Sequence, residues 1–258
     1  LWHGGASEST RKVAEVTQSG TSIFDPVLCE LVYRWFCPAN GKVLDPFAGG
    51  SVRGIVAAYL GYDYTGVELR PEQVQANEAQ AHICGKAPRW IVGDSANVDT
   101  LAPDTYDLIF SCPPYYDLEV YSDSPGELSA LPSYADFIKA YRGIVGKCVA
   151  MLAEDRFACF VVGDIRDKRG FYRNFVADTI AAFQDAGATL YNEAILVTAV
   201  SSLPIRVGKQ FQGYRKLGKT HQNVLVFYKG NPAHIKAFGE VEAGDIEDMN
   251  DTTATVIP

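Results

Sequence analysis

Residues 42–54 read KVLDPFAGGSVRG, a short β-rich run that closes on Asp45 and Pro46 and then opens through Gly49 and Gly50 into an apolar, helix-like stretch. Glycine in a strand-to-helix turn allows a tight bend and lets a ligand come close to the backbone. The turn has no G-K-[S/T] for a triphosphate and no G-x-G-x-x-G for a pyrophosphate, so the ligand it suits carries no phosphate chain.

Outward from this turn, strand-like and helix-like segments alternate. KVLDP, DYTGVEL, RWIVGD, YDLIFS and FACFVVGD are short β-rich runs, and SVRGIVAAYLG, RPEQVQANEAQAHICG, SYADFIKAYRGIVGKCVAMLAED and FYRNFVADTIAAFQDAG lie between or after them as helices. Pro71 stands at a helix start and Gly61, Gly85 and Gly187 at helix stops, as capping physics prefers. This alternation predicts an α/β fold, a mostly parallel doubly wound sheet with its ligand beyond the carboxyl ends of the strands. ATLYNEAILVT and QNVLVFYKG, with no helix expected between them, predict an antiparallel hairpin at the sheet edge. FDPVLCELVYRWFCPANG, ahead of the first strand, predicts an amphipathic helix.

Two acids sit where an adenosine would need them. Glu68 ends the second strand, in position for the two hydroxyls of a ribose, and Asp94 follows the third, in position for an adenine amino group. Together with the glycine turn they describe an adenosine without phosphates, which S-adenosylmethionine fits. A second informative stretch is DLIFSCPPYYDLEVYSD, where a strand ends in Ser111, Cys112, Pro113, Pro114 and Tyr115. Consecutive prolines hold backbone carbonyls rigidly, and a tyrosine offers a planar face. Carbonyls can accept both hydrogens of an exocyclic amino group while the ring stacks on the base that bears it.

The two stretches resemble motifs I and IV of the DNA amino-methyltransferases, which methylate adenine at its 6-amino or cytosine at its 4-amino nitrogen. DPFAGG resembles the D-P-F-x-G-x-G turn, with Ser51 where the second glycine falls, and SCPPYY resembles the [D/N/S]-P-P-[Y/F/W] catalytic loop. TSIFDPVLCELVYRWF is similar to the helix called motif X, and the resemblance spans roughly residues 20 to 229. It implies a Rossmann-like methyltransferase fold and S-adenosylmethionine as cofactor. It puts Asp45, Phe47, Ala48 and Gly49 at the cofactor's amino-acid end, Glu68 on the ribose, Asp94 and Ser95 near the adenine, and Ser22 and Phe24 in the motif X contact. Ser111, Cys112, Pro113, Pro114 and Tyr115 become the catalytic loop.

Cys112 stands where adenine enzymes carry Asp or Asn and cytosine enzymes Ser; it is nearer in shape to Ser. That tips the expectation towards cytosine N4, with adenine N6 close behind. A cytosine-C5 enzyme would use a cysteine nucleophile after a proline; here the order is Cys112 then Pro113, with no E-N-V partner. P-P-Y loops also occur in enzymes acting on RNA bases or a protein glutamine amide, and an inactive cofactor-binding module would carry the same residues.

The 258-residue chain has a formal charge of −8, which argues mildly against nucleic acid, but the charge is unevenly spread. Residues 201–223 carry Arg206, Lys209, Arg215, Lys216 and Lys219 with no acid, and Phe211 and Tyr214 among them. This segment, read as a loop over about residues 201–220, is the expected contact to double-stranded DNA: cations for phosphates, rings for stacking. The turn-rich segment from Asp117 to Ser133 is acidic and is expected to fold over a flipped base.

Six cysteines without a C-x-x-C pair argue against a zinc site and against a disulfide framework, and four dispersed histidines give no metal or triad arrangement. No apolar run approaches the roughly 20 residues of a membrane span, so a cytoplasmic protein without membrane or metal is expected. The first residue is Leu1, as in a trimmed piece of a longer protein. The expected organisation is an extension over 1–20, a catalytic domain over 21–230 and an acidic tail over 231–258, with room for a homodimer.

Overall fold

The structure is a computed structural model and describes residues 24–118, 126–197 and 203–241. Helix α1 (Pro26–Phe36) starts at Asp25, whose carboxylate accepts from the Val27 and Leu28 backbone N–H groups at 2.8 and 3.3 Å, with Pro26 in the first turn. The carboxylate satisfies two orphan donors of the helix start, and the proline, lacking an N–H, removes another. The core alternation follows as β1 (Lys42–Asp45), α2 (Val52–Tyr59), β2 (Asp63–Glu68), α3 (Pro71–Gln80), β3 (Arg89–Val92), the one-turn α4 (Val98–Leu101) and β4 (Tyr106–Ser111). After it come α5 (Tyr134–Met151), β5 (Leu152–Val162), α6 (Phe175–Asp185), β6 (Thr189–Val197), α7 (Leu203–Tyr214) and β7 (His221–Lys229).

Among the described residues seven strands form one sheet in the order β3-β2-β1-β4-β5-β7-β6. β3, β2, β1, β4 and β5 are parallel, and β7 pairs antiparallel with both β5 and β6. The chain winds outward from β1 to β3 and returns to β4 on the other flank of β1. The carboxyl ends of β1 and β4 therefore form the topological switch point, where an open α/β sheet leaves a crevice.

Consecutive strand residues feed opposite cores. Leu44, Ile109, Phe160 and Leu225 join Tyr141, Phe175 and Phe183 on one face; Val43, Leu108, Cys159 and Val226 join Cys29, Val32 and Tyr33 on the other. With both faces covered, the central strands read as continuous apolar runs rather than alternating ones. Cys29, Cys37, Cys148 and Cys159 are buried, and burial pushes the Cys29 thiol up to about 12. These four behave as small apolar side chains; Cys84 and Cys112 are half-buried.

Two sequence expectations are corrected. β5 begins at Leu152 directly after α5, where the helix was expected to continue to Asp155; Leu108 pairs with Phe157 but Tyr106 with Leu152, so residues 153–156 bulge from the ladder. The segment expected to be a loop over 201–220 contains helix α7 over Leu203–Tyr214, so β6 and β7 pair antiparallel with a helix between them. Pro204 falls in the first turn, where proline is tolerated, and Gly208 and Gly213 lower but do not abolish helix propensity.

Candidate active site

β1 delivers Asp45 to the crevice, and the chain turns through Pro46–Ser51 into α2. Gly49 has a φ of +52°, and a Cβ at Gly50 would meet nothing within 4 Å, so the turn borders open space. Its backbone is pinned from the β2 side: Ala48 N donates to the Val67 carbonyl at 2.9 Å and Gly49 N to Glu68 Oε2 at 2.9 Å. Asn77 of α3 donates to the Gly49 carbonyl at 2.8 Å, and Ser95 Oγ donates to the Pro46 carbonyl. The ends of β2 and β3 are thus tied to the turn.

Arg53 explains the stiffness of the turn. Its Nε donates to Asp45 Oδ2 at 2.6 Å and its Nη2 to the carbonyls of Phe47 and Ala48 at 2.7 and 3.0 Å. Both partners of the ion pair are buried. Burial opposes the guanidinium charge, but the adjacent Asp45 carboxylate outweighs it and Arg53 is held above its usual pKa. Asp45 Oδ2 also accepts from Tyr64 Oη at 2.8 Å. The Phe24 ring lies 4.6 Å from the Arg53 guanidinium and packs edge-on against Phe110, which brings the start of α1 to the site. Ser22 falls outside the described residues. Arg53 is absent from the sequence expectations; the signal that could have found it is a lone arginine on the otherwise apolar buried face of α2.

The second turn leaves β4 at Ser111. Ser111 Oγ donates to Asp45 Oδ1 at 2.5 Å and accepts from Phe47 N at 3.3 Å, so the glycine turn and the proline loop are hydrogen-bonded side by side. Asp45 therefore has both oxygens engaged by the chain's own donors. Pro113 is buried, and Cys112, Pro114 and Tyr115 are half-buried. Tyr115 packs edge-on against Phe175, and its hydroxyl accepts from Gln222 Nε2 at 2.6 Å. Burial, then the neighbouring Cys112, push the Tyr115 phenol well above its ordinary pKa, so it stays protonated. Gln222, on β7, was not recognised in the sequence because nothing local links it to Tyr115.

The loop continues into a turn over Tyr116–Leu118 that a second arginine holds. Arg173 lies 4.8 Å from the Tyr116 ring and 5.1 Å from the Tyr134 ring, and pairs with Asp117 at 3.3 Å. Asp94 Oδ1 accepts from Ala96 N at 2.8 Å, and a Cβ at Gly126 would stand 2.7 Å from Asp94 Oδ2. The segment expected to close over a base thus meets Asp94, the acid expected near an adenine, at Gly126; its residues 119–125 fall outside the described set.

The expected DNA-contacting residues divide between α7 and the segment after it. Lys209, Phe211, Tyr214 and Arg215 are exposed; the side chain of Arg206 is not among those described. Lys219 is half-buried at the site itself: a Cβ at Gly163 would be 3.6 Å from Lys219 Nζ and 3.9 Å from Tyr115 Oη. Burial lowers the Lys219 pKa, against the pull of Asp164. Among the described residues no group of acids, histidines and cysteines could hold a metal, and no helix is long and apolar enough to cross a membrane.

No protein-family model matches the sequence. No curated protein matches it either. Solved structures do match. TrmN from Thermus thermophilus superposes with a TM-score of 0.55 at 15% identity, over 82% of this chain and 51% of that one, so the chain spans about half that protein's length. A methyltransferase from Pyrococcus furiosus gives 0.52 at 14% identity, over 86% and 96%. Magnesium protoporphyrin IX methyltransferase from Synechocystis PCC 6803, solved with bound S-adenosylmethionine, gives 0.50 at 11% identity, over 88% and 100%. The chain has the Rossmann-like fold of the methyltransferases.

Proposed function

We propose that the protein transfers a methyl group from S-adenosylmethionine to an exocyclic amino group of a base in double-stranded DNA, cytosine N4 ahead of adenine N6. The observation that carries this reading is the Ser111–Asp45 hydrogen bond with its partner from Phe47 N. It holds the glycine turn against the Pro-Pro-Tyr loop at the switch point of the sheet.

Support for the cofactor comes from the open space beside Gly50, where a Cβ would meet nothing within 4 Å, and from the Glu68 carboxylate, already oriented by Gly49 N and Arg70. Phe47, Ala48 and Gly49 would hold the amino-acid end, Glu68 the ribose, Asp94 and Ser95 the adenine, and Phe24 the methionine side. Asp45 acts through the turn it stiffens. When bound, the cofactor supplies an electrophilic methyl on a sulfonium.

The chain's own contribution is positioning. An amino nitrogen on a base ring attacks poorly because its lone pair is delocalised. Carbonyls around Cys112 and Pro113 would accept the amino hydrogens, and proline adds no N–H donor of its own to compete for those carbonyls. Tyr115, locked by Phe175 and Gln222, would stack on the base. Positioning and electrostatics of this kind can lower a barrier by roughly 7–11 kcal/mol. The target lies inside a duplex, so it must be flipped out at a cost of a few kcal/mol, which backbone contacts from Lys209, Arg215, Lys216 and Lys219 would offset.

The test is mass spectrometry of nucleosides after incubation with unmethylated duplex DNA and methyl-deuterated S-adenosylmethionine. Labelled 4-methylcytosine or 6-methyladenine supports the reading and identifies the base. No label on the DNA despite cofactor binding overturns it.

A further inference from the structure

Between β5 and α6 the chain reads DIRDKRGFYRN over residues 164–174. It forms a small hairpin: Arg166 and Tyr172 pair antiparallel, Asp167 N donates to the Phe171 carbonyl at 2.8 Å, and Gly170 closes the turn at a φ of +95°. Asp167 is consumed inside the hairpin, its Oδ1 accepting from Phe171 N at 2.9 Å, and Asp164 accepts from Val176 N at 3.2 Å. The rings are not consumed. Phe171 is 63% and Tyr172 45% exposed, an uncommon state for two adjacent large aromatics.

Each ring carries a cation. The Arg166 guanidinium lies 3.9 Å from the Tyr172 ring centroid and that of Arg169 5.3 Å from Phe171. The end of α7 repeats the arrangement, with Arg215 at 5.3 Å from Phe211 and Lys216 Nζ at 5.4 Å from Tyr214. The two groups touch, since a Cβ at Gly170 would stand 2.7 Å from Lys216 Cε and Nζ. At its inner end the surface reaches the catalytic loop through Lys219 beside Gly163 and Arg173 on Asp117.

We propose that the 165–173 hairpin and the end of α7 form one surface that holds a single strand of DNA, phosphates on the cations and unstacked bases on the rings, leading into the Pro-Pro-Tyr loop. A cation on one side of an exposed ring leaves the other face for a base, and base–aromatic stacking with a cationic groove is how single strands are gripped without sequence readout. On a chain of net charge −8 such a surface is a local attractor that steers an anionic strand to one place. The inference rests on the methyl-transfer reading and narrows its DNA contact: Arg215, Lys216 and Lys219 would hold the strand that bears the target base where that strand is locally unpaired.

The test is fluorescence anisotropy with a labelled 20-nucleotide DNA strand and the matching duplex, at 50 to 200 mM salt, for the wild-type chain and two hairpin variants. Phe171→Ala/Tyr172→Ala is expected to weaken single-strand binding about 10- to 100-fold and duplex binding less. Lys168→Gln/Arg169→Gln keeps the rings and is expected to reduce the salt slope on the single strand by about 1.4. Unchanged calorimetric binding of S-adenosylmethionine by both variants shows that they are folded. Single-strand affinities within twofold of wild type in both variants, a larger loss on duplex than on single strand, or tighter binding of the same RNA sequence by more than tenfold overturns the proposal. A wild type that grips DNA through the hairpin but transfers no label overturns the methyl-transfer reading and leaves the surface standing; efficient transfer with indifferent hairpin variants does the reverse.

Discussion

Ser111 Oγ donates a 2.5 Å hydrogen bond to Asp45 Oδ1 across neighbouring strands, and the two side chains are buried. Ser111→Ala removes one of the partners of a buried carboxylate, at an expected cost of about 1–3 kcal/mol. Thermal unfolding checks this: for a chain of this size the midpoint drops by several degrees, about 2–4 °C per kcal/mol. The same variant is expected to lower methyl transfer more than cofactor affinity, because it loosens the proline loop against the glycine turn.

Asp45→Asn leaves Arg53 buried opposite a neutral group. Breaking a buried ion pair from one side costs about 3–5 kcal/mol, so this variant is expected to be the more damaged of the two. Denaturant titration measures it; a midpoint equal to that of Ser111→Ala would show that Arg53 is held by the Phe47 and Ala48 carbonyls alone.

Tyr115 separates ring from hydroxyl. Tyr115→Phe keeps the edge contact to Phe175 and loses the hydroxyl with its bonds to Gln222 and the Cys112 side chain, so methyl transfer is expected to stay within about tenfold, the equivalent of one or two hydrogen bonds. Tyr115→Ala removes the stacking face and is expected to lose about 10- to 100-fold. Cofactor affinity, measured by calorimetry, should be the same in both.

Glu68→Gln preserves shape and removes charge. The Gly49 N–H loses a charge-assisted acceptor and the proposed ribose contact its carboxylate, so S-adenosylmethionine binding is expected to weaken by about 10- to 100-fold, as for a hydrogen bond to a charged group. Equal affinity in wild type and variant would remove Glu68 from the cofactor site.

Asp155 gives a pH signature remote from the site. Its carboxylate sits 2.7 Å from His234 Nδ1 and accepts from Asn231 N at 2.9 Å, contacts that hold its pKa below 3.8. A carboxyl depressed in the folded state contributes stability that is fully present above its unfolded pKa and is lost as the pH falls through the folded value. Asp155→Asn is therefore expected to lower the unfolding midpoint at pH 7, and the gap to wild type should close below pH 3.8. A gap constant from pH 7 to pH 2.5 contradicts this.

The alternation of apolar runs and helical stretches was legible because both faces of the sheet are covered, and Gly49 and Pro113 marked the two turns because their backbone chemistry is local. α7 was not legible: Pro204, Gly208 and Gly213 read as loop residues, and only its place between β6 and β7 reveals the helix. The hairpin over 165–173 is not legible because its cations lie among Asp164 and Asp167, and the engagement of those carboxylates by backbone N–H groups is invisible in a charge count.

By itself, then, the sequence determined which residues end the strands and which backbone positions can bend or stay rigid, since propensity, capping and proline geometry act within a few residues. Tertiary structure alone decided which of those ends meet. Ser111 and Asp45 are 66 residues apart and Gln222 and Tyr115 are 107 apart, and their bonds exist only because the sheet order places β4 beside β1 and β7 beside β5. A hydrogen bond needs its partners within about 3 Å, and strand register, not sequence spacing, sets that distance.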